Sequence, residues 1–142
     1  MIISDHGKHL IVNGVIKECH VNNLVSTGYG ESVIRKIIEE ANMTVIGDIA
    51  IHSFASSKNK KAGYTINAML MESHVTIHTW PESNSFTFDI FSCKDFNENN
   101  ILDILKEDYL IESMFGTKIL RSSLEDFKSE QFSFKDKIEQ KD

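Results

Sequence analysis

The stretch MESHVTIHTWPE, residues 71–82, concentrates side chains that can do chemistry. Ser73 is followed at once by His74, His78 comes a few positions later, and Cys93 lies in the next segment of the chain. A serine or cysteine with a nearby histidine is the residue set of a covalent nucleophile and its base. Histidine with cysteine is also a ligand set for zinc. The spacing of these residues decides among those chemistries.

A zinc site on His74, His78 and Cys93 is disfavoured by the predicted local structure. The residues between the two histidines, 75–77, are all β-branched, which predicts a strand. Four residues along a strand span about 13 Å. Two imidazoles so far apart cannot both reach one zinc ion at about 2.1 Å. We therefore expect no metal site here.

A hydrolase built on these residues is also disfavoured. Ser73 and His78 are five positions apart, so their side chains point to opposite faces of a straight strand. No G-x-S-x-G turn surrounds Ser73, and nothing in the local sequence pairs Cys93 with a histidine. Geometry on a single strand thus gives no nucleophile–base pair.

Length, charge and cysteine count limit the classes of protein to which this chain can belong. A chain of 142 residues suits one domain with one core, and a net charge of −6 gives no attraction to nucleic acid or anionic lipid. No apolar run reaches the length of a membrane span, and the first residues do not resemble a signal peptide. Cys19 and Cys93 are too few for a disulfide framework, so we expect a cytoplasmic protein with reduced thiols.

Hydrophobic periodicity predicts the element order β-α-β-β-β-β-α-β. The predicted strands cover residues 8–16, 44–54, 64–72, 73–80, 85–93 and 116–124, and the predicted helices cover 30–43 and 97–114. A lysine-rich loop is expected at 55–63, and a tail or loose helix after 124.

This order predicts an α+β fold, a two-layer α/β sandwich of a mainly antiparallel sheet with two helices on one face. The other face needs a cover, and a homodimer would supply one. We expect a single domain over residues 1–124, followed by a charged C-terminal tail over 125–142.

The motif ESHVTIHTWPE followed by FDIFSC resembles the signature of the prokaryotic S-adenosylmethionine decarboxylase family. These are self-processing, pyruvoyl-dependent enzymes of polyamine (spermidine) biosynthesis. GKHLIV at 7–12 and IHSF at 51–54 are similar to the first and second strands of the family. The likeness extends over about residues 7–125.

The resemblance implies that the chain cleaves itself between residues 72 and 73. Ser73 would attack the carbonyl carbon of Glu72, the amide would become an ester, and β-elimination would break the chain. Residue 73 would end as a pyruvoyl group, the cofactor, whose keto carbon forms a Schiff base with the substrate amine. We expect a homodimer of such cleaved protomers.

The resemblance also assigns roles to single residues. His78 is the base that assists processing, and Thr65 supports processing where the family usually has a serine. Cys93 is the proton donor during decarboxylation. Phe54 is expected to stack on the adenine of the substrate, and Glu82 to bind its ribose hydroxyls.

The predicted reaction converts S-adenosylmethionine to decarboxylated S-adenosylmethionine and CO₂. The loop over 55–63 is longer than the family's usual connection and lacks its proline. A pyruvoyl-dependent ornithine or arginine decarboxylase on the same fold is therefore an alternative. A non-catalytic regulatory homologue is another, which the retained Ser73 and Cys93 disfavour.

Overall fold

The computed structural model describes residues 3–55, 61–121 and 125–136, with side chains described from Gly7 onward. In chain order, the elements are β1 (Ile3–Ile16), a 3-10 helix (Glu18–Leu24), α1 (Thr27–Glu40), β2 (Ala50–Phe54), β3 (Gly63–Leu70), β4 (Ser73–Trp80), a 3-10 turn (Pro81–Ser83), β5 (Ser85–Lys94), α2 (Glu98–Asp108), β6 (Ile111–Leu120) and β7 (Lys128–Lys135).

The strands form one antiparallel sheet in the order β2-β3-β4-β5-β1-β6-β7. The predicted α+β architecture is confirmed, with α1 and α2 packed together on one face of the sheet. Two of its predicted strands, β3 and β4, are joined by a connection of only two residues, Met71 and Glu72. Within the described residues, neither helix has the length and apolar character needed to cross a bilayer.

Side-chain caps set where the two helices begin. Ser26 precedes α1 and its hydroxyl oxygen accepts a hydrogen bond from the Tyr29 N–H at 3.2 Å. Asn97 does the same for α2, accepting from the Asn100 N–H at 3.1 Å. Each cap satisfies a backbone donor that has no partner inside the helix. The cap at Ser26 makes α1 begin three residues before the predicted residue 30.

The prediction that the second helix extends to residue 114 is wrong. Helix α2 ends at Asp108, and Leu110 has a φ of 53°, a left-handed conformation that no helix continues through. Ile111 then starts β6, which pairs with β1 in register Met114 to Gly14. Pairing with a central strand satisfies backbone groups over the whole length of β6, so tertiary contacts override the local helical pattern.

The segment expected to be a tail or loose helix contains a strand instead. Residues 128–135 form β7, which pairs with β6 along its length, with Phe132 opposite Gly116 and Phe134 opposite Met114. Both phenylalanines pack against the core. The sheet therefore continues past the predicted domain boundary at 124, while residues 137–142 lie outside the described residues.

The two faces of the sheet differ in kind. On the helix face, inward residues of β1, β3, β4 and β5 are fully or almost fully buried: Leu10, Val12, Ile66, Ala68, Val75, Ile77, Phe86, Phe88 and Ile90. We call the other side the open face. The register aligns three rows on it, which are His52–Thr65–His78–Thr87–Asn13–Phe115, Ala50–Asn67–Thr76–Asp89–Ile11–Thr117 and Met69–His74–Phe91–His9–Ile119.

Candidate active site

The junction between Glu72 and Ser73 lies at the tip of the β3–β4 hairpin. Leu70 pairs with Ser73, so Met71 and Glu72 make the turn, and Glu72 has a φ of 59°. A left-handed conformation is uncommon for a residue with a side chain and costs roughly 1–3 kcal/mol, which the surrounding structure must supply. Glu72 is exposed and Ser73 half-buried, so the junction is accessible from outside the chain.

The Ser73 hydroxyl is held on the helix side of the sheet. It donates to the hydroxyl oxygen of Ser92 at 2.6 Å, and its second contact is with the Met71 carbonyl oxygen at 3.2 Å. Ser92 is fully buried and also accepts from the Lys94 N–H at 2.8 Å. The hydroxyl of the nucleophile proposed from the sequence is therefore held by Ser92 and by the carbonyl of Met71, the residue before Glu72.

The Glu72 carbonyl oxygen accepts a hydrogen bond from the backbone N–H of Cys93 at 3.4 Å. Negative charge develops on this oxygen when a nucleophile attacks the carbonyl carbon, and a donor aimed at it lowers that barrier. Cys93 itself is a free, half-buried cysteine, whereas Cys19 is exposed and lies in the 3-10 helix that follows β1. The structure thus places the backbone of Cys93 against Glu72, the residue before Ser73.

His78 lies at the other end of β4, on the open face. Its Nδ1 is 2.9 Å from the Thr65 hydroxyl oxygen, because the two residues are directly paired between β3 and β4. His52 occupies the next place in the same row, on β2. The Trp80 ring lies near the imidazole, with centroids 6.1 Å apart. Thr65 therefore orients the imidazole of His78.

Ser73 and His78 are not brought together within one chain. Five residues of strand separate them by about 16 Å. Their side chains also point to opposite faces, Ser73 toward Ser92 on the helix side and His78 toward Thr65 on the open side. As predicted from the spacing of the two residues, Ser73 and His78 of one continuous chain therefore cannot form a nucleophile–base pair.

The two expected substrate-binding residues lie at the His78 end of the sheet. Phe54 is the last residue of β2, opposite Gly63, and its side chain is 38% exposed. Glu82 is exposed in the 3-10 turn that follows Trp80. Both reach the region around His78 from different elements. Most of the lysine-rich loop, residues 56–60, lies outside the described residues.

A groove of about 570 Å³ opens on the open face beside these residues. Its lining includes Asn13, Trp80, Thr87 and Phe115. The volume suits a small ligand. Its lining does not include Ser73, His78 or Cys93, so the groove adjoins the predicted chemistry without enclosing it.

A model of the S-adenosylmethionine decarboxylase family matches residues 8–122. The chain belongs to this family. The membership predicted from the ESHVTIHTWPE motif is thus confirmed, and the match spans β1 to β6, including both ends of β4.

Curated relatives of this decarboxylase family agree with the assignment. An S-adenosylmethionine decarboxylase proenzyme of Clostridium botulinum (strain Loch Maree / Type A3) is 32% identical over 84% of this chain and 97% of its own length. The proenzyme of Sulfolobus acidocaldarius is 39% identical over 58% of this chain and 62% of its own.

Solved structures of S-adenosylmethionine decarboxylases share the fold. The crystal structure of the Aquifex aeolicus enzyme aligns with a TM-score of 0.62 at 18% identity, over 96% of this chain and 95% of that one. A Trypanosoma brucei AdoMetDC-delta26 monomer aligns with a TM-score of 0.55 at 15% identity, over 82% of this chain and 47% of that one.

Some residues placed beside the decarboxylase motif were not singled out from the sequence. Ser92 was seen only as part of the FDIFSC match, although the alternation of β5 puts it in the inward row after Phe88 and Ile90. His9 and Asp89 lie on strands distant in sequence, and no local signal links them. In the structure both lie next to His74.

Proposed function

We propose that this protein is a self-processing, pyruvoyl-dependent decarboxylase that converts S-adenosylmethionine to decarboxylated S-adenosylmethionine and CO₂ for spermidine synthesis. The observation that carries the proposal is the Glu72–Ser73 junction. A serine hydroxyl held by Ser92 directly follows a left-handed residue whose carbonyl accepts the Cys93 N–H. Family membership supplies the reaction class.

Cleavage begins with attack of the Ser73 Oγ on the carbonyl carbon of Glu72. The hydroxyl proton leaves, the peptide nitrogen takes a proton, and the amide becomes an ester. The Cys93 N–H stabilises the negative charge on the carbonyl oxygen during this shift. A base then removes the Cα proton of Ser73, and the Glu72 carboxylate leaves. Addition of water to the resulting dehydroalanine releases ammonia and yields the pyruvoyl terminus of residues 73–142.

Once formed at residue 73, a pyruvoyl group would supply a keto carbon for the substrate amine and an electron sink for decarboxylation. The Cys93 thiol is proposed to give the proton that the product carbon then needs, which is supported by the contact of the Cys93 backbone N–H with Glu72 at the cleavage point. The thiol is half-buried, and within the described chain it forms no disulfide. Cys93 would thus act in both reactions, through its backbone N–H during cleavage and through its thiol during decarboxylation.

The base for elimination is His78, and we infer that it comes from a second copy of the chain. Within one copy it lies about 16 Å along β4 from Ser73 and on the opposite face. A two-fold pair of chains places each site of one copy against the complementary site of the other. The hairpin tip at Met71 and Glu72 is exposed, and the proton to be removed is on the Cα of Ser73 rather than on its inward-facing hydroxyl, so the His78 end of a partner can approach it from the open face.

The open face is the surface for that pairing. A sheet face that stays in water is usually polar. Here the open face carries Ile11, Val15, Met69 and Phe115 with substantial exposure, up to 59% for Met69. A second copy that covers these side chains would remove them from water and complete two equal sites.

Phe54 and Glu82 are proposed to hold the adenosine part of the substrate. A phenylalanine ring can stack on a base, and a carboxylate can accept hydrogen bonds from two ribose hydroxyls. Both lie at the His78 end of the sheet, so the same pairing of copies would bring them to the pyruvoyl terminus.

The reaction class is tested by the denaturing intact mass of the purified protein. We expect two species that separate between Glu72 and Ser73, the second with a pyruvoyl terminus. A single species of the full 142 residues would contradict self-processing and favour a regulatory homologue. Release of CO₂ is then compared for S-adenosylmethionine, ornithine and arginine. Turnover of a basic amino acid alone would contradict the proposed substrate.

The two-copy site is tested by complementation. A Ser73→Ala chain keeps His78, and a His78→Ala chain keeps Ser73. When the two are coexpressed, we expect cleavage of the His78→Ala chain, because His78 of the Ser73→Ala partner completes the site around its Ser73. Coexpression with a Ser73→Ala/His78→Ala double variant is the matched control and gives no rescue. Absence of rescue in the first pair, with both chains folded and associated, would rule out a shared site.

A further inference from the structure

Three side chains that the proposed cleavage does not use converge on the open face. The Nε2 of His9 lies 2.9 Å from Oδ2 of Asp89, and the Nε2 of His74 lies 3.4 Å from the same oxygen. The side chains are 26%, 30% and 46% exposed for His9, Asp89 and His74. They come from β1, β5 and β4, three adjacent strands in the middle of the sheet.

We propose that His9, His74 and Asp89 form a binding site for a divalent transition-metal ion of the zinc type. Their three ligand atoms all lie within 4.8 Å of one another. Ligand atoms around a tetrahedral zinc are about 3.3 Å apart, given bonds of about 2.0–2.1 Å. The two distances to Asp89, 2.9 and 3.4 Å, are close to that spacing, so small side-chain rotations would bring all three ligand atoms to one ion.

The chemistry of the donor set selects the class of ion. Two imidazole nitrogens with one carboxylate oxygen suit Zn²⁺, Co²⁺ or Ni²⁺, whereas Mg²⁺ and Ca²⁺ prefer oxygen ligands. Three protein ligands leave a fourth position for water or for another donor, such as a side chain of the second copy that is proposed to cover this face. The site differs from the His74, His78 and Cys93 set that strand geometry excludes, because His9 and Asp89 reach His74 across the sheet.

The surroundings favour a fixed arrangement of these ligands. The Phe91 ring stacks on His74 and meets His9 edge-on, each with centroids 5.8 Å apart. The 2.9 Å contact between His9 and Asp89 holds the Asp89 carboxylate beside both imidazoles.

The proposed cleavage would change the position of His74 in its chain. His74 directly follows Ser73, so it would become the second residue of the new chain. An ion shared with His9 and Asp89 would tie the terminus that carries the cofactor to β1 and β5. Metal binding itself needs no cleavage, since all three ligands are placed in the continuous chain.

The test is titration of chelator-treated, full-length protein with Zn²⁺ and, separately, with Co²⁺ followed by its visible absorption. We expect one ion per chain. His9→Gln and Asp89→Asn should each weaken binding by at least about 100-fold, since even loss of an outer-shell partner costs 10–100-fold. A Cys19→Ser/His20→Gln variant, which removes another pair of metal-binding residue types, is the matched control and should bind as the unaltered protein does.

Unchanged Zn²⁺ affinity in both His9→Gln and Asp89→Asn would overturn the site, as would equally tight binding of Mg²⁺. Two variants are used so that misfolding of one of them does not decide the result. The thermal unfolding of both is compared with that of the control. The Ser73→Ala protein should bind zinc normally although it stays uncleaved. A cleaved protein without a metal site would refute only this inference, and an uncleaved one with the site would refute only self-processing.

Discussion

The two ends of strand β4 carry different halves of the chemistry. At its start, the Ser73 hydroxyl points to the helix side and donates to the buried Ser92. Near its end, His78 points to the open side and contacts Thr65. The first end has the proposed nucleophile and the carbonyl it would attack, and the second has the proposed base with a hydroxyl 2.9 Å from it. Neither end has the complete set.

This difference explains why a single strand can contain so many reactive side chains without forming a site by itself. Strand geometry keeps the ends apart by about 16 Å and on opposite faces. In the two-fold pair of chains that we propose, the start of one β4 would lie against the end of the other, which would remove the separation. Changes at the two ends should therefore have distinguishable effects.

The largest effect is expected at the nucleophile. Ser73→Ala removes the only oxygen that can take the acyl group of Glu72, so cleavage should be abolished and the chain should remain a single species by intact mass. A Ser73→Cys variant keeps a nucleophilic atom and should still cleave, more slowly. A cleaved Ser73→Ala protein would show that the break does not depend on this side chain.

The next effect is expected at the base. His78→Ala should slow cleavage by about 10²–10⁴-fold, the usual contribution of a positioned general base. The ester formed by Ser73 should then accumulate, because its formation does not need the base that removes the Cα proton. The ester is detected by hydroxylamine, which cuts the chain at it. Normal cleavage rates in His78→Ala would remove His78 from the mechanism.

A smaller effect is expected at the partner of the nucleophile. Ser92→Ala removes the oxygen that accepts from Ser73 and should slow cleavage about 10-fold, the rate equivalent of one hydrogen bond of ~1.4 kcal/mol. Ser92→Thr keeps the hydroxyl and serves as the control. If the two variants cleave at the same rate, the contact with Ser92 does not position Ser73. Time courses after denaturation and refolding give these rates.

The smallest effect is expected at the partner of the base. Thr65→Val keeps the shape but loses the oxygen 2.9 Å from His78, so cleavage should slow by a few-fold, roughly 3–10. Thr65→Ser keeps the oxygen and should stay close to the unaltered rate. In the His78→Ala background the Thr65→Val change should add little, because its target is already gone. Additive losses would indicate a separate role for Thr65.

The pattern of apolar residues predicted much of the fold. The alternation of Phe86, Phe88 and Ile90 marked the buried face of β5, and the stripe containing Val33 and Ile37 marked the buried side of α1. Such patterns depend only on period and burial, which are local. The patterns gave the wrong prediction for β6 and β7. The structure of both segments depends on pairing with another strand, which the local sequence does not reveal.

The residues of the candidate site also fall into two groups, those that a local motif predicts and those that only strand pairing brings together. Glu72, Ser73 and Cys93 were predicted together because they belong to one motif, and β4 and β5 pair so that they meet. Ser92 and the cluster of His9 with Asp89 needed the register of strands far apart in the chain.

By itself, the sequence determined which residues can react, the family that this chain belongs to, and the two-layer fold, because residue type, motif and periodicity are properties of the chain alone. Only the tertiary structure decided which of those residues meet. It joined Ser73 to Ser92, kept His78 on the opposite face, and gathered His9, His74 and Asp89 from three strands. The physical reason is register: a shift of one residue between strands turns every side chain to the other face.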